Sequence, residues 1–261
     1  MFHEIVVAIE RTQPLRHNVL GLMTRLMAAL ATRSAERIFV STPAWARFTG
    51  EFWYGKKTAT WLPVPSTIGE RVDLLQVQSK RRALVAPQET LIGHFGTYGG
   101  YSRDVLQSIM AGLLKGNELR RLLLLGRGSK SFMHDLKKLE GTLSDRVIAF
   151  DNLQAEEVCT HLAACDLMVQ PYKDGITTRR TSSMAALALG VPVVTNSGRL
   201  TEPLWQECGA VALTKDASPA AFVLTSEELL SCPQKRAEQA RRGAGVYARR
   251  FALANTIQAL R

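Results

Sequence analysis

The sequence predicts an α/β fold of the doubly wound, Rossmann-like type for the larger part of the chain. From residue 90 onward, six short apolar runs alternate with stretches long enough to form helices. Runs that are apolar throughout indicate a sheet buried on both faces, which is typical of parallel strands with covering helices. Alternation of strand and helix favours crossover units and a doubly wound sheet. A content of 46% hydrophobic and 21% charged residues is that of an ordinary globular protein.

The elements of this main part are predicted in order along the chain. Helices are predicted at 103–115 and 154–165, because apolar residues recur along one face of each stretch. Glu156 and Glu157 fall in the first turn of the second helix, where the helix dipole favours acidic side chains. The strands are predicted at 90–95, 121–126, 146–150, 166–171, 191–196 and 210–214.

The N-terminal part follows the same strand and helix logic but holds too few strands to bury a sheet alone. Its predicted elements are a strand in 2–10, a helix at 17–35, a strand at 36–41, a short helix at 42–50 and a last strand at 59–69. Residues 66–88 are interpreted as a linker. The tail, 233–261, is predicted to be a long basic helix with no strand after it.

The basic character of the chain is compatible with several anionic partners, but it does not require one. A net charge of +10 is compatible with nucleotide diphosphates, a membrane surface or nucleic acid, and also with a generally basic surface. No basic motif interleaved with aromatic residues supports nucleic acid, which is therefore not predicted as a partner. Lys235, Arg242 and Arg249 form a stripe along the tail, interpreted as a solvated face or as a contact with anionic lipid.

The compartment is predicted from what the sequence lacks. No run approaches the eighteen apolar residues of a membrane helix, and the N-terminus has no basic region of the kind that opens a signal peptide. The four cysteines show no metal-binding spacing and suit a reducing compartment. We expect a cytoplasmic protein without disulfide, metal or cofactor, with any membrane contact peripheral and at the inner face.

Two loops stand out where a doubly wound sheet binds its ligand, outside the carboxyl ends of the first and fourth strands. The first, 96–103, holds Gly96, Thr97, Gly99 and Gly100 directly after a strand, so its backbone can approach a bulky anion. A tight turn between strand and helix is the alternative interpretation of the same glycines.

The second loop, 172–182, leads into a helix with hydroxyl and guanidinium groups. Arg179, Arg180, Thr181 and Ser182 converge where that helix begins, and such a start offers unpaired N–H groups and a positive dipole end to phosphate oxygens. An exposed arginine pair beside an ordinary Ser/Thr cap is the alternative. The position at the switch point favours a phosphate site.

Other loops at the same edge supply less specific candidates. Arg127 follows the second strand, where a plain glycine turn is the alternative. Asn152 and Leu153 follow the third strand and would present side chain and backbone to a nucleotide base, or simply begin a helix. Glu202 follows the fifth strand, where a capping acid is the default interpretation.

Six motifs together resemble the donor-binding domain of GT-B glycosyltransferases of the group 1, or family 4, type. They are WLPVPSTI (61–68), FGTYGG (95–100), LLLLGRGS (122–129), VIAFDNLQAEEV (147–158), ACDLMVQPY (164–172) and ALALGVPVVTNSG (186–198). The resemblance implies three domains: 1–70 as the incomplete end of an acceptor-binding domain, 71–232 as the donor-binding domain, and 233–261 as a basic helix that packs back on the N-terminal part. It also implies a nucleoside-diphosphate sugar as donor, an unidentified sugar, lipid or small-molecule acceptor, and metal-independent transfer with retention.

The resemblance further implies roles for the candidate residues. Arg179 and Arg180 would neutralise the departing diphosphate, with help from Thr181 and Ser182, while Gly96 to Gly100 make room for it. Asp174 would bind sugar hydroxyls. His3 and Glu4 would face the cleft at a strand end.

This sequence departs from the family pattern in two respects. Thr177 and Ala185 stand where the family has a pair of glutamates; Asp174 would replace the first across a small insertion, and nothing replaces the second. Arg103 is the nearest candidate for the basic residues that usually follow the first strand. A full acceptor domain would also begin well before Met1, which we read as a misassigned start, a truncation or a cloning boundary. A catalytically silent nucleotide-sugar-binding module therefore remains the main alternative, and a sugar epimerase a weaker one.

Overall fold

The computed structural model describes residues 1–2, 9, 11, 13–46, 58–99, 102–139 and 141–261. Within them the strands are β1 (Ile38–Val40), β2 (Ala59–Trp61), β3 (Thr90–Phe95), β4 (Arg120–Leu125), β5 (Val147–Phe150), β6 (Leu167–Gln170), β7 (Val193–Asn196) and β8 (Ala212–Thr214). Strands β3 to β8 form one parallel sheet in the spatial order β5-β4-β3-β6-β7-β8. This is the doubly wound arrangement, and the predicted fold class is confirmed.

The helices cover both faces of this sheet. Their bounds are α1 (Leu15–Ser34), α2 (Leu74–Leu84), α3 (Ser102–Gly116), α4 (Ser129–Leu139), α5 (Ala155–Ala163), α6 (Thr181–Ala188), α7 (Leu204–Cys208), α8 (Pro219–Leu230), α9 (Pro233–Arg250) and α10 (Leu253–Leu260), with a 3₁₀ helix at Gly141–Arg146. None of the helices in the described ranges is long and apolar enough to cross a membrane.

Alternation along the strands divides the core into two layers. Leu122 and Leu124 of β4 pack into a cluster with α3, α4 and α8, whereas Leu123 and Leu125 pack into a second cluster with α5, α6 and α9. All four side chains are buried. Alternate residues of each apolar run thus pack on opposite faces of the sheet. Because both faces are buried, the runs do not alternate between apolar and polar residues.

The N-terminal part adds a small parallel pair, β1 with β2, which Phe2 extends by one bridge to Val40. Helix α1 packs on this pair through Ala28, which lies in one buried cluster with Val40 of β1. Most of the strand predicted in 2–10 and the end of the helix predicted at 42–50 lie outside the described residues.

Two predictions about the connections need correction. The predicted strand at 59–69 ends at Trp61, because Pro63 and Pro65 remove backbone donors from the ladder. The predicted linker at 66–88 contains helix α2, whose first turn Asp73 caps by accepting a hydrogen bond from the Leu75 amide at 2.9 Å.

The C-terminal tail forms two helices rather than one. Helix α9 lies against α6, and a Cβ at Gly243 would come within 2.8 Å of the Leu187 side chain. After a break at Phe251, α10 reaches the N-terminal part, where Arg37 donates hydrogen bonds to the carbonyl oxygens of Ala259 and Leu260 at 2.8 and 3.2 Å.

Candidate functional site

A cleft of about 510 Å³ opens at the carboxyl ends of β3 and β6, where the strand order of the sheet reverses. Its location is the ligand-binding position of doubly wound sheets. The cleft is lined by His94, Phe95, Gly96, Thr97, Tyr98, Gly99, Arg103, Leu106, Gly126, Arg127, Gln170, Pro171, Tyr172, Arg179, Arg180, Thr181 and Ser182.

The floor of the cleft depends on a close backbone approach after β3 and β4. The Gly96 amide donates a hydrogen bond to the Leu125 carbonyl at 3.0 Å. Gly126 has a φ of +110°, and a Cβ there would lie 2.2 Å from the carbonyl oxygen of Gly96. Because no side chain fits between these two turns, Gly126 keeps the floor open by both its conformation and its lack of a Cβ.

His94 and Gln170 form the polar base of the cleft. The side-chain amide of Gln170 donates a hydrogen bond to the backbone carbonyl of Phe95 at 3.2 Å and so links β6 to β3. His94 is 6% exposed, and its ring lies edge-on to Tyr98 with 4.9 Å between centroids. Burial lowers the pKa of His94 to about 3, so the imidazole is neutral at physiological pH.

The first loop is held by an arginine on the following helix. Arg103 of α3 donates a hydrogen bond to the Tyr98 carbonyl at 2.5 Å and forms an ion pair with Asp135 of α4. The hydrogen bond from Arg103 lowers the pKa of Asp135. Arg103 lines the cleft, but its pairing with Asp135 makes it a brace for the loop.

The start of α6 forms the opposite wall. The hydroxyl oxygen of Tyr172 lies 2.8 Å from the hydroxyl oxygens of both Ser182 and Ser183. The guanidinium carbon of Arg180 lies 4.6 Å from the centroid of the Tyr172 ring. The first amides of a helix have no acceptor within the helix, so this turn presents N–H groups and a stacked guanidinium together.

Arg179 reaches the N-terminal part, since its guanidinium carbon lies 5.9 Å from the centroid of the Trp45 ring. Thr178, its neighbour, accepts a hydrogen bond from the Trp61 indole at 3.1 Å, and its hydroxyl lies 2.8 Å from the Ser41 carbonyl oxygen. The loop that carries both arginines is therefore fixed from the side of β1 and β2.

Glu202 fixes the same loop from the other side. Its carboxylate is 4% exposed and accepts hydrogen bonds from the Thr178 amide at 3.1 Å and the Trp205 indole at 2.8 Å. The Thr178 hydroxyl lies 2.8 Å from the same carboxylate. Glu202 thus organises the loop from behind and does not line the cleft.

All the charged side chains among the described lining residues of the cleft are basic. Arg103, Arg127, Arg179 and Arg180 all line it, and none of its described lining residues is acidic. Together with the positive end of the α6 dipole, this arrangement attracts an anion of several charges.

The structure brings together most of the candidates from the sequence. The residues that line the cleft as predicted are Gly96, Thr97, Gly99, Arg127, Arg179, Arg180, Thr181 and Ser182. Gly100, His3 and Glu4 lie outside the described residues.

Four candidates are placed elsewhere. Asp174 lines a neighbouring hollow of about 260 Å³ and pairs with Arg199 at 3.3 Å. Asn152 is exposed, and Leu153 packs on the core below α5. Glu202, as described, is buried behind the loop. Loop residues that share a sheet edge therefore do not all share a cleft.

Sequence reasoning missed His94, Tyr98, Gln170 and Tyr172. His94 and Gln170 are polar interruptions of otherwise apolar strands, which was the available signal. Tyr98 and Tyr172 carried no such signal in the sequence, because their roles depend on contacts with other parts of the fold.

The family described as glycosyl transferases group 1 matches residues 90–232, which is more than half of the chain. The chain belongs to this family. No curated protein sequence matches this glycosyltransferase significantly.

Solved structures of GT-B glycosyltransferases share its fold. HepE from Anabaena, in complex with UDP and glucose, superposes with a TM-score of 0.71 at 18% identity, over 97% of this chain and 68% of HepE. Sucrose-phosphate synthase from Thermosynechococcus elongatus gives 0.72 at 15% identity, over 99% and 65%. The lipopolysaccharide glycosyltransferase WaaG gives 0.64 at 14% identity, over 97% and 84%. This glycosyltransferase thus spans about two thirds of the length of the first two.

The two positions where the acidic pair was expected are buried in this glycosyltransferase. Thr177 is fully buried, and its hydroxyl has no hydrogen-bond partner among the described residues. Ala185, within α6, is 1% exposed and belongs to the buried core. In this chain neither position therefore presents an acidic side chain to the cleft.

Proposed function

We propose that the cleft binds a nucleoside-diphosphate sugar and that the chain transfers its sugar to an acceptor, with retention and without a metal ion. The observation that carries this proposal is the arginine pair at the start of α6, in a cleft whose described lining has no acid. A diphosphate is the ligand whose charge and size such a cleft fits.

The phosphates would lie against the first turn of α6. Arg180 is held in place by Tyr172, and Arg179 by the N-terminal part, so both guanidinium groups are preorganised before the ligand arrives. Bidentate guanidinium contacts and helix N–H groups are the strong interactions available to phosphate oxygens. Thr181 and Ser182 add hydroxyl donors at the same turn.

The same groups would lower the barrier to transfer. As the bond between sugar and diphosphate breaks, negative charge grows on the leaving phosphate. Fixed cations and dipoles stabilise that charge without reorganisation, and they do so better in a cleft than in water. His94, being neutral, adds hydrogen-bonding capacity at the base of the cleft and no charge.

We take a uridine nucleotide as the first donor to test, because HepE was solved with UDP and with UDP-glucose. The acceptor is a sugar, lipid or small molecule. We also propose that the protein is cytoplasmic, and that 1–70, 71–232 and 233–261 are respectively the end of an acceptor-binding domain, the donor-binding domain and a returning helix. The hydrogen bonds from Arg37 to the end of α10 support the last assignment.

A catalytically silent nucleotide-sugar-binding module is the second candidate. The observation that favours it is the burial of Thr177 and Ala185, which leaves the family's acidic pair without a replacement in the cleft. The binding site for the diphosphate is the same in both proposals, so binding and transfer must be tested separately.

Binding is tested by thermal shift of the full chain with UDP, GDP, ADP and their sugar conjugates. A ligand at a hundred times its Kd adds about 2.7 kcal/mol to the free energy of unfolding. Arg180→Ala should weaken binding by about 10- to 100-fold, as the loss of charged hydrogen bonds does. Arg241→Ala, on the exposed side of α9, is the matched control. A folded protein that shifts with none of these ligands refutes the donor site.

Transfer is tested with the donor that binds. NMR of a donor solution containing the enzyme should show slow release of free sugar, first as the anomer present in the donor, if transfer to water occurs with retention. Binding without any release, with and without simple sugar and lipid acceptors, would support the silent module instead.

A further inference from the structure

His94 is a buried polar residue in a strand that otherwise buries apolar side chains. It lines the base of the cleft, whereas Leu91 and Ile92 of the same strand are fully buried in the core. Burying an imidazole costs free energy, because the ring loses the hydrogen bonds that water supplies. A ligand group that replaces those bonds would offset the cost.

The two ring nitrogens of His94 have different surroundings. Nδ1 is buried and has no hydrogen-bond partner among the described residues. Cε1 and Nε2 form the edge of the ring beside Gly96, since a Cβ on Gly96 would lie 3.4 and 3.9 Å from these two atoms. Gly96 lines the cleft, and its lack of a side chain leaves space beside this edge of the ring.

Contacts on other sides hold the ring in place. The Tyr98 hydroxyl donates a hydrogen bond to the backbone carbonyl of His94 at 3.0 Å, and the two rings lie edge-on. Tyr98 in turn packs on Phe132 of α4, with 5.1 Å between ring centroids. A polar group that is fixed before the ligand arrives loses little conformational entropy on binding.

The imidazole of His94 carries one proton, because burial keeps it neutral. One nitrogen of a neutral imidazole donates a hydrogen bond and the other accepts one. No described residue pairs with Nδ1, whereas Nε2 borders the space beside Gly96. A proton on Nε2 is therefore the form that can bind an acceptor in the cleft.

The charge of the cleft indicates which acceptor this is. All the charged side chains among its described lining residues are basic, so they attract an anion. Gly96 lets such an anion approach the backbone directly beside His94. Diphosphate oxygens accept hydrogen bonds and carry negative charge, whereas sugar hydroxyls carry none.

We propose that His94 donates a hydrogen bond from Nε2 to an oxygen of the bound diphosphate. Because this bond needs a nucleotide in the cleft, it rests on the proposed function. It adds a neutral hydrogen-bond donor from β3, at the base of the cleft, to the arginines at the start of α6.

The test is calorimetric titration of the full chain with UDP, or with GDP or ADP where the thermal shift selects one of these. His94→Leu should weaken binding about 10- to 100-fold, as the loss of a hydrogen bond to a charged group does. His94→Gln places an amide nitrogen near the position of Nε2 and should restore most of the affinity. His94→Gln that binds as weakly as His94→Leu would contradict a bond from Nε2.

His161 provides a matched control. It is 1% exposed, and its Nε2 also lacks a hydrogen-bond partner among the described residues, but it lies on α5 and does not line the cleft. His161→Leu should leave the Kd of the nucleotide unchanged. An equal loss of affinity in His161→Leu and His94→Leu would be a general effect of removing a buried imidazole and would overturn the proposal.

¹⁵N NMR of the unmodified chain, labelled at its histidines, requires no folded variant of the site. Long-range correlations show which ring nitrogen carries the proton, and His94→Gln assigns the signals of His94. The nucleotide should shift the Nε2 signal of His94 and leave that of His161 in place. A proton on Nδ1 of His94 in the complex would refute the bond.

The outcomes for His94 and for the site as a whole are distinguishable. If the folded, unmodified chain binds no nucleotide, the proposed function fails, and the role of His94 with it. If the chain binds UDP and His94→Leu binds it equally well, the site stands and the role of His94 is refuted. Unchanged affinity for UDP with weaker binding of UDP-glucose would place His94 against the sugar and also refute a bond to the diphosphate.

Discussion

Arg179 and Arg180 are adjacent in sequence but are held by different parts of the molecule. The guanidinium of Arg180 lies over the ring of Tyr172, directly after β6 of the main sheet, and that of Arg179 lies over the ring of Trp45 in the N-terminal part. The positions of both guanidinium groups therefore depend on the main sheet and on the N-terminal part together.

The burial of His94 predicts that the free energy of unfolding depends on pH. Its pKa is about 3 in the folded chain and about 6.5 in an unfolded one, so the unfolded state binds the extra proton between these values. The contribution of His94 to the free energy of unfolding is therefore fully present above about pH 6.5 and is lost as the pH falls towards 3. Between pH 7 and pH 5, His94 should lower the free energy of unfolding by about 2 kcal/mol.

Urea denaturation at pH 7, 6 and 5 measures this loss. His94→Gln should reduce the difference between pH 7 and pH 5, whatever its own stability at pH 7. His17→Gln, on the exposed side of α1, should leave the difference unchanged. An equal pH dependence in His94→Gln and the unmodified chain would show that His94 is not the group responsible.

At the scale of elements, the cleft depends on turns that pass each other without side chains. Gly126 approaches Gly96 after β4 and β3. Gly175, with a φ of +81°, approaches Gly198, and a Cβ on Gly175 would lie 2.2 Å from the Gly198 amide nitrogen. The second approach ties the loop that bears Asp174 to the loop after β7, which explains why Asp174 lies beside the neighbouring hollow.

Gly126→Ala is predicted to destabilise the fold and to close the cleft. An L side chain is strained at a φ of +110° and its Cβ would collide with backbone, so the loss should be about 2 kcal/mol or more. Gly99→Ala in the same cleft has nothing within 4 Å of the added Cβ and should stay within about 0.5 kcal/mol. Chemical denaturation of both variants checks this, and equal stabilities would contradict the close approach.

At the scale of the whole molecule, Thr178 joins the two parts of the chain. Its backbone carbonyl accepts a hydrogen bond from the Val64 amide at 3.0 Å, while its side chain contacts Ser41, Trp61 and Glu202. These groups are largely buried, so their loss leaves polar atoms without partners.

Thr178→Val is therefore expected to loosen the N-terminal part from the sheet. The substitution keeps the volume but removes the hydroxyl, at a cost of about 1–3 kcal/mol. Hydrogen exchange should become faster in β1 and β2 and stay unchanged in β4 and β5. Thr160→Val is the control, because that hydroxyl donates its hydrogen bond to the Glu156 carbonyl oxygen within its own helix, α5. Uniformly faster exchange in Thr178→Val would argue against a local joint.

The sequence by itself determined the sheet and the place of the cleft. Continuous apolar runs predicted the six parallel strands of the main sheet to within two residues, and strand order then located the switch point. Gly96, Arg179 and Arg180 were found because they lie directly beside predicted strand and helix ends. Such signals are local, since periodicity and caps depend on neighbours in the chain.

Tertiary structure alone decided which loop residues face the cleft. Glu202 and Asp174 follow strands at the correct edge, yet one is buried behind the loop and the other faces a different hollow. His94 and Tyr172 enter the site through contacts across the sheet. Side-chain direction in a loop is fixed by packing against distant residues, which no local pattern records, and for this reason the strands were predictable and the full wall of the cleft was not.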